Sequence, residues 1–163
     1  MTGQGEVYTD FIQEQLEKEF ARRERLETRG WALIASSGVL ASLTFAGVAA
    51  YKGKDYRISG QASLPLMMSL SALVVSAVLG VATCHTWKYK IVAPVTMTDM
   101  LRDHWMDSEA SARNYCGQLN VFTISTLRVV NNRKAFLLTL GLALELVAAV
   151  CAVWAILVIT AST

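Results

Sequence analysis

Apolar and polar positions segregate along this chain into three long blocks almost free of charge, separated by strongly polar segments. The first block runs from Trp31 to Tyr51 without a formal charge. At about 1.5 Å per residue, a helix of that length covers a hydrocarbon core of about 30 Å. The second block, Leu64 to Trp87, is uncharged when His85 is neutral, and the third, Ala135 to Thr163, carries one formal charge, Glu145. Between them Leu119 to Val130 is also apolar, but Arg128 interrupts it and leaves fewer than the roughly 17 residues a crossing needs. The pattern therefore predicts three crossings. Trp31, Tyr51 and Trp87 stand at block ends, where amphipathic rings favour the headgroup level.

The polar segments carry a helical period of their own. From Glu6 to Arg29, Tyr8, Ile12, Leu16 and Phe20 form a narrow apolar stripe, supported by Glu14–Lys18 and Glu19–Arg23 pairs four residues apart. Gly30 is expected to act as a hinge at the junction with the first span, since a glycine weakens a helix. After Pro94, the positions Leu101, Trp105, Ser108, Ala112, Tyr115, Leu119, Phe122, Thr126 and Val129 alternate spacings of four and three. That repeat predicts a cytoplasmic stalk over 98–130, with Leu101, Trp105, Tyr115, Leu119 and Phe122 as its apolar seam and Gly117 as the place where it would break.

The fold class that follows is all-α: an integral membrane protein with three transmembrane helices and a helical cytoplasmic platform. The expected divisions are an N-terminal cytoplasmic amphipathic helix (1–30), first span (31–51), outer loop (52–63), second span (64–87), cytoplasmic helical segment (88–134), third span (135–160) and outer tail (161–163). Thirty mostly polar residues precede Trp31, so the first block reads as a retained span and not as a cleaved signal.

Composition agrees with a bilayer as the solvent: 53% of the residues are hydrophobic and 17% charged. A net charge of +2 gives no reason to expect a nucleic-acid partner. Where the positive charges lie says more, since twelve of the Lys and Arg residues fall in 1–30 and 88–134 and three, Lys52, Lys54 and Arg57, fall between the first two spans. The positive-inside rule then places the N-terminus in the cytoplasm and the C-terminus outside, in a multi-pass protein of the cell's inner membrane.

Inside the bilayer, small residues four apart permit close helix approach. Such ridges are Gly38, Ser42 and Ala46 in the first span, Ala72, Ser76 and Gly80 in the second, and Gly141, Glu145 and Ala149 in the third. Counted from the cytoplasmic block ends, Ser42, Ser76 and Glu145 all lie about 15 to 17 Å deep, which predicts one intramembrane polar cluster. A carboxyl at that depth costs on the order of 3 kcal/mol to insert, so Glu145 is expected to face protein. It serves there either as glue between helices or, if several copies converge, as the lining of a pore.

No enzyme chemistry accompanies this pattern. There is no phosphate-binding glycine loop, no nucleophile elbow and no H-E-x-x-H. Asp99, Asp103 and Asp107 share a helical face near His104 but read as a solvated acidic face, so no metal site and no cofactor are expected. Cys84, Cys116 and Cys151 form no C-x-x-C and read as packing residues. The basic 88–134 segment suits contact with anionic headgroups or a phosphorylated ligand.

The basic stretch Ala21 to Gly30 leads into a small-residue-rich span, followed by a close second span, a polar helical insert beginning near Thr98, and Asn131-Asn132-Arg133-Lys134 leading into the last span. This order of parts resembles the small membrane effectors of bacterial cyclic-nucleotide antiphage systems, of the Pycsar and CBASS type. The resemblance implies a homo-oligomer whose spans disrupt the bilayer when activated by a cyclic nucleotide or an upstream signalling protein. The same plan is similar to accessory membrane proteins encoded with bacterial conjugative plasmids, which would make the chain a structural partner of transfer machinery. A small regulator bound to a larger membrane partner is the third class.

Overall fold

The structure is a computed structural model and describes residues 3–52 and 60–161. The expected outer loop around Lys54 and Arg57, and the end of the outer tail, lie outside these residues. Four helices make up the described chain: α1 (Gln4–Lys52), α2 (Gly60–Cys84), α3 (Pro94–Asp103) and α4 (Glu109–Ala161). Three of them, α1, α2 and α4, contain stretches long and apolar enough to cross a membrane. The described chain is thus all-α, with three helices that qualify as spans.

Helix α1 runs through Gly30 without interruption, from Gln4 to Lys52. One expectation about the polar segments is corrected, since the stalk is not one helix over 98–130. Helix α3 stops at Asp103, and α4 starts at Glu109. The break falls at Ser108, whose hydroxyl accepts the N–H of Ser111 at 3.2 Å while its carbonyl accepts that of Ala112. Serine at a helix start satisfies otherwise orphaned donors, a better use of its hydroxyl than a mid-helix seam position. Gly117, the expected break, is helical and buried, with Ile12 of α1 at van der Waals distance from where a Cβ would stand.

The chain divides into two compact units, Met1–Arg25 with Thr86–Arg133, and Leu26–His85 with Lys134–Thr163. In the first, α1 and α4 run parallel and meet through Ile12 and Gly117, then through Glu19 and Arg128. Buried Ile124, Leu127 and Val130 supply the apolar contacts on α4. Helix α3 buries none of its residues, and the turn after it exposes Trp105 at 73% and Met106 at 94%. Of the expected stalk seam, Leu101 and Trp105 therefore precede α4, while Tyr115, Leu119 and Phe122 lie on it.

In the second unit the described buried positions recur at spacings of three, four or seven on all three helices, with Pro65 on α2 buried in addition. They are Leu26, Gly30, Leu33, Ser37 and Thr44 on α1; Ala62, Leu66, Ser69, Leu73, Ser76, Gly80 and Thr83 on α2; and Lys134, Leu138, Gly141, Ala148, Ala155 and Ile159 on α4. This is the seam of a left-handed coiled coil. One seam position on each helix recurs every seven residues as a small side chain: Gly30-Ser37-Thr44, Ser69-Ser76-Thr83 and Gly141-Ala148-Ala155. Small side chains at that period let backbones approach where the hydrophobic effect gives no attraction between helices.

Candidate functional site

Close approach in the second unit is set by three glycines. A Cβ on Gly30 would lie 2.7 Å from Cys84 Sγ, one on Gly80 would lie 3.0 Å from the Gly30 carbonyl, and one on Gly141 would overlap the Leu33 side chain. Gly30, the expected hinge, is thus where α1 and α2 touch. Contact at this range brings hydroxyls to neighbouring carbonyls. Ser76 donates to the Gly141 carbonyl at 2.9 Å and Ser69 to the Ala148 carbonyl at 2.8 Å, so two serines seven apart on α2 pair with two carbonyls seven apart on α4. Their spacing fixes the antiparallel register of the two helices.

Glu145 lies in the same seam, seven residues after Leu138. The hydroxyls of Ser36 and Ser37 each stand 2.7 Å from its Oε1. Each is also about a hydrogen-bond length from the Leu33 carbonyl, 3.0 and 2.9 Å respectively. A hydroxyl has one hydrogen, so each serine serves either the carboxyl or its own helix at a given moment. All the hydrogen bonds to Glu145 fall on Oε1. Among the described residues Oε2 accepts none, and the residue is half-buried.

The expected cluster is corrected at one of its members. Ser42 is exposed and donates to the Gly38 carbonyl of its own turn, with no contact to Glu145. Gly38 and Ala46 are exposed as well, so the whole predicted ridge of the first span lies on the outer face of its helix. Of the other predicted packing residues, Gly80 and Gly141 are buried, and Ala72 and Ala149 are half-buried. The error lies in register. The α1–α4 contacts pair Glu27 with Lys134 and Ser36 and Ser37 with Glu145. Ala135 is therefore level with about residue 27, not Trp31, and counting depth from charge-free block ends displaced the first span by about four residues, roughly 6 Å.

An ion pair lies about three helical turns earlier, at Glu27 and Lys134. Lys134 is fully buried, with Nζ 2.6 Å from Glu27 Oε1, although no sequence signal distinguished it from the other basic residues of its segment. The Cys84 thiol donates to the Glu27 carbonyl nearby, at 3.4 Å.

The first unit has polar chemistry of a different kind. Buried Glu19 accepts from Arg128 Nε at 2.8 Å and from Asn131 Nδ2 at 3.0 Å, and Asn131 also donates to the Glu19 carbonyl. Asn131 Oδ1 is buried without a partner among the described residues. A groove of about 780 Å³ runs between α1 and α4, with Tyr8, Ile12, Val121 and Phe122 as apolar walls and Asn114 and Gln118 as amides along its edge. His104 stacks on Tyr115 and bonds Asp107 through Nδ1 at 3.0 Å. Among the described residues no group of three or more His, Cys, Asp or Glu is placed to hold a metal ion.

The class defined so far is an all-helical chain with three potential membrane-spanning helices and a polar helical unit. Comparison with models of protein families, with curated proteins and with solved structures finds no match to the chain.

Proposed function

We propose that this is a non-enzymatic integral membrane protein that works as a homo-oligomer and perturbs the bilayer when its polar helical unit is engaged, as an effector of bacterial antiphage defence. The observation that carries the reading is the half-satisfied carboxyl of Glu145. The hydroxyls of Ser36 and Ser37 both reach Oε1, while among the described residues Oε2 has no partner, in a segment apolar enough to span. Polar groups at membrane depth are tolerated where they meet protein or line a water-filled cavity. A second copy, or water held between copies, meets that requirement for Oε2. The twelve-to-three distribution of basic residues supports an inner-membrane protein with the N-terminus and the polar unit in the cytoplasm and the C-terminus outside.

A cyclic nucleotide or an upstream signalling protein is the proposed trigger, and the groove between α1 and α4 has the volume of a small-ligand site. Helix α3, none of whose residues is buried, and the exposed Trp105-Met106 turn favour a second reading, a small regulator that docks on a larger membrane partner. Membrane potential separates the two. Under the first reading, induced expression of wild type depolarises cells, as read by a potential-sensitive dye, and Glu145→Ala at equal expression leaves them polarised. Unchanged potential with wild type, together with copurification of another membrane protein at fixed stoichiometry, supports the regulator and overturns the effector.

A further inference from the structure

Ten cations lie in the first unit, and the structure separates them into two groups. Seven are held: four by carboxylates within 2.9 Å, Arg22 by Asn132, and Arg23 and Lys90 by the faces of Tyr89 and Phe122. The remaining three, Arg25, Lys88 and Arg133, are exposed and have no carboxylate, amide or ring partner among the described residues. Their places in the chain are not scattered. Arg25 immediately precedes Leu26, the first residue of the second unit; Lys88 follows the end of α2 by four residues; and Arg133 immediately precedes Lys134, where α4 passes into the second unit. Each of these three cations thus flanks one of the three helices able to span, and the other seven cations of the first unit each have a carboxylate, amide or ring partner. Arg29, in the second unit, is also exposed and has no partner among the described residues.

We infer that Arg25, Lys88 and Arg133 form a docking surface for anionic phospholipid headgroups. The argument is charge complementarity at a fixed level. A cation paired inside the protein contributes little to an external anion, whereas one beside a span and free of internal partners stands where lipid phosphates are concentrated. Lysine meets a phosphate as a point charge and arginine as a planar fork, so the set can hold headgroups in several orientations. The inference rests on the membrane location and not on the effector reading.

The test uses the full chain purified in mild detergent with equal amounts of phosphatidylcholine and phosphatidylglycerol, and native mass spectrometry to count the lipids retained. Wild type retains phosphatidylglycerol preferentially. The triple variant Arg25→Gln/Lys88→Gln/Arg133→Gln loses that preference, by about fivefold per cation removed. The control Lys18→Gln/Arg102→Gln/Arg113→Gln, which removes three partnered cations, retains it. Helicity by circular dichroism is the same for all three proteins. No preference in wild type, an unchanged preference in the first variant, or an equal loss in the control overturns the proposal. So does displacement of phosphatidylglycerol by inorganic phosphate at an ionic strength where sodium chloride leaves it bound, a result that would assign the surface to a soluble phosphate.

Discussion

Lys134 and Glu145 pose the same problem, a polar side chain in an apolar seam, and solve it differently. Lys134 is paired with a single carboxylate, Glu27, and removing one partner of such a pair costs more than the pair contributes, because the other charge is left uncompensated. Lys134→Met is expected to lower stability by about 3 kcal/mol in a detergent unfolding titration, while Glu27→Leu/Lys134→Leu loses less than the single variant. Glu145 is held by two hydroxyls shared with a backbone carbonyl, and hydrogen bonds between membrane helices average about 0.6 kcal/mol. Ser36→Ala/Ser37→Ala is accordingly expected to cost only about 1 kcal/mol in the same titration. Outside the apolar unit, hydrogen bonds from Arg102 hold the Asp103 carboxyl below the ordinary aspartate range. A lowered pKa means the contact contributes above that range and is lost as pH falls through the lowered value. Carbon NMR should show Asp103 titrating below about 3.9 in wild type and moving up in Arg102→Gln.

Elements expose what could and could not be read from the sequence. Three apolar blocks were plain because a bilayer demands about twenty consecutive apolar residues, and few other constraints produce such runs. The helix faces were harder. A small residue every fourth position is a signal for one packing geometry, and it picked out Gly38, Ser42 and Ala46 on the outer face of α1. The seam obeys a seven-residue period instead, and Gly30-Ser37-Thr44 was there to be found by that spacing. Partners across helices were not legible, because register depends on contacts such as Glu27 with Lys134, more than 100 residues apart. The stalk misled for a related reason: its four-three repeat was real, but Ser108 fell on a seam position where capping is the better use of the hydroxyl. The two faces of α1 give a direct comparison. Gly38→Ala, with nothing within 4 Å of the added methyl, is expected to be neutral or to stabilise by up to about 1 kcal/mol, whereas Gly30→Leu forces α1 and α2 apart and costs about 2 kcal/mol or more, measured by thermal unfolding in detergent.

At the scale of the whole molecule, the proposed association of copies would give the open carboxyl oxygen of Glu145 a protein or water partner within the three-helix unit. Closed cyclic symmetry suits chains that share one membrane and one orientation. Counting subunits tests this most directly: fluorophore-labelled chains reconstituted in vesicles at low density, with photobleaching steps recorded per spot. The account predicts several steps for wild type and a single step for Glu145→Leu. One step for wild type, or the same number of steps in the variant, would contradict it.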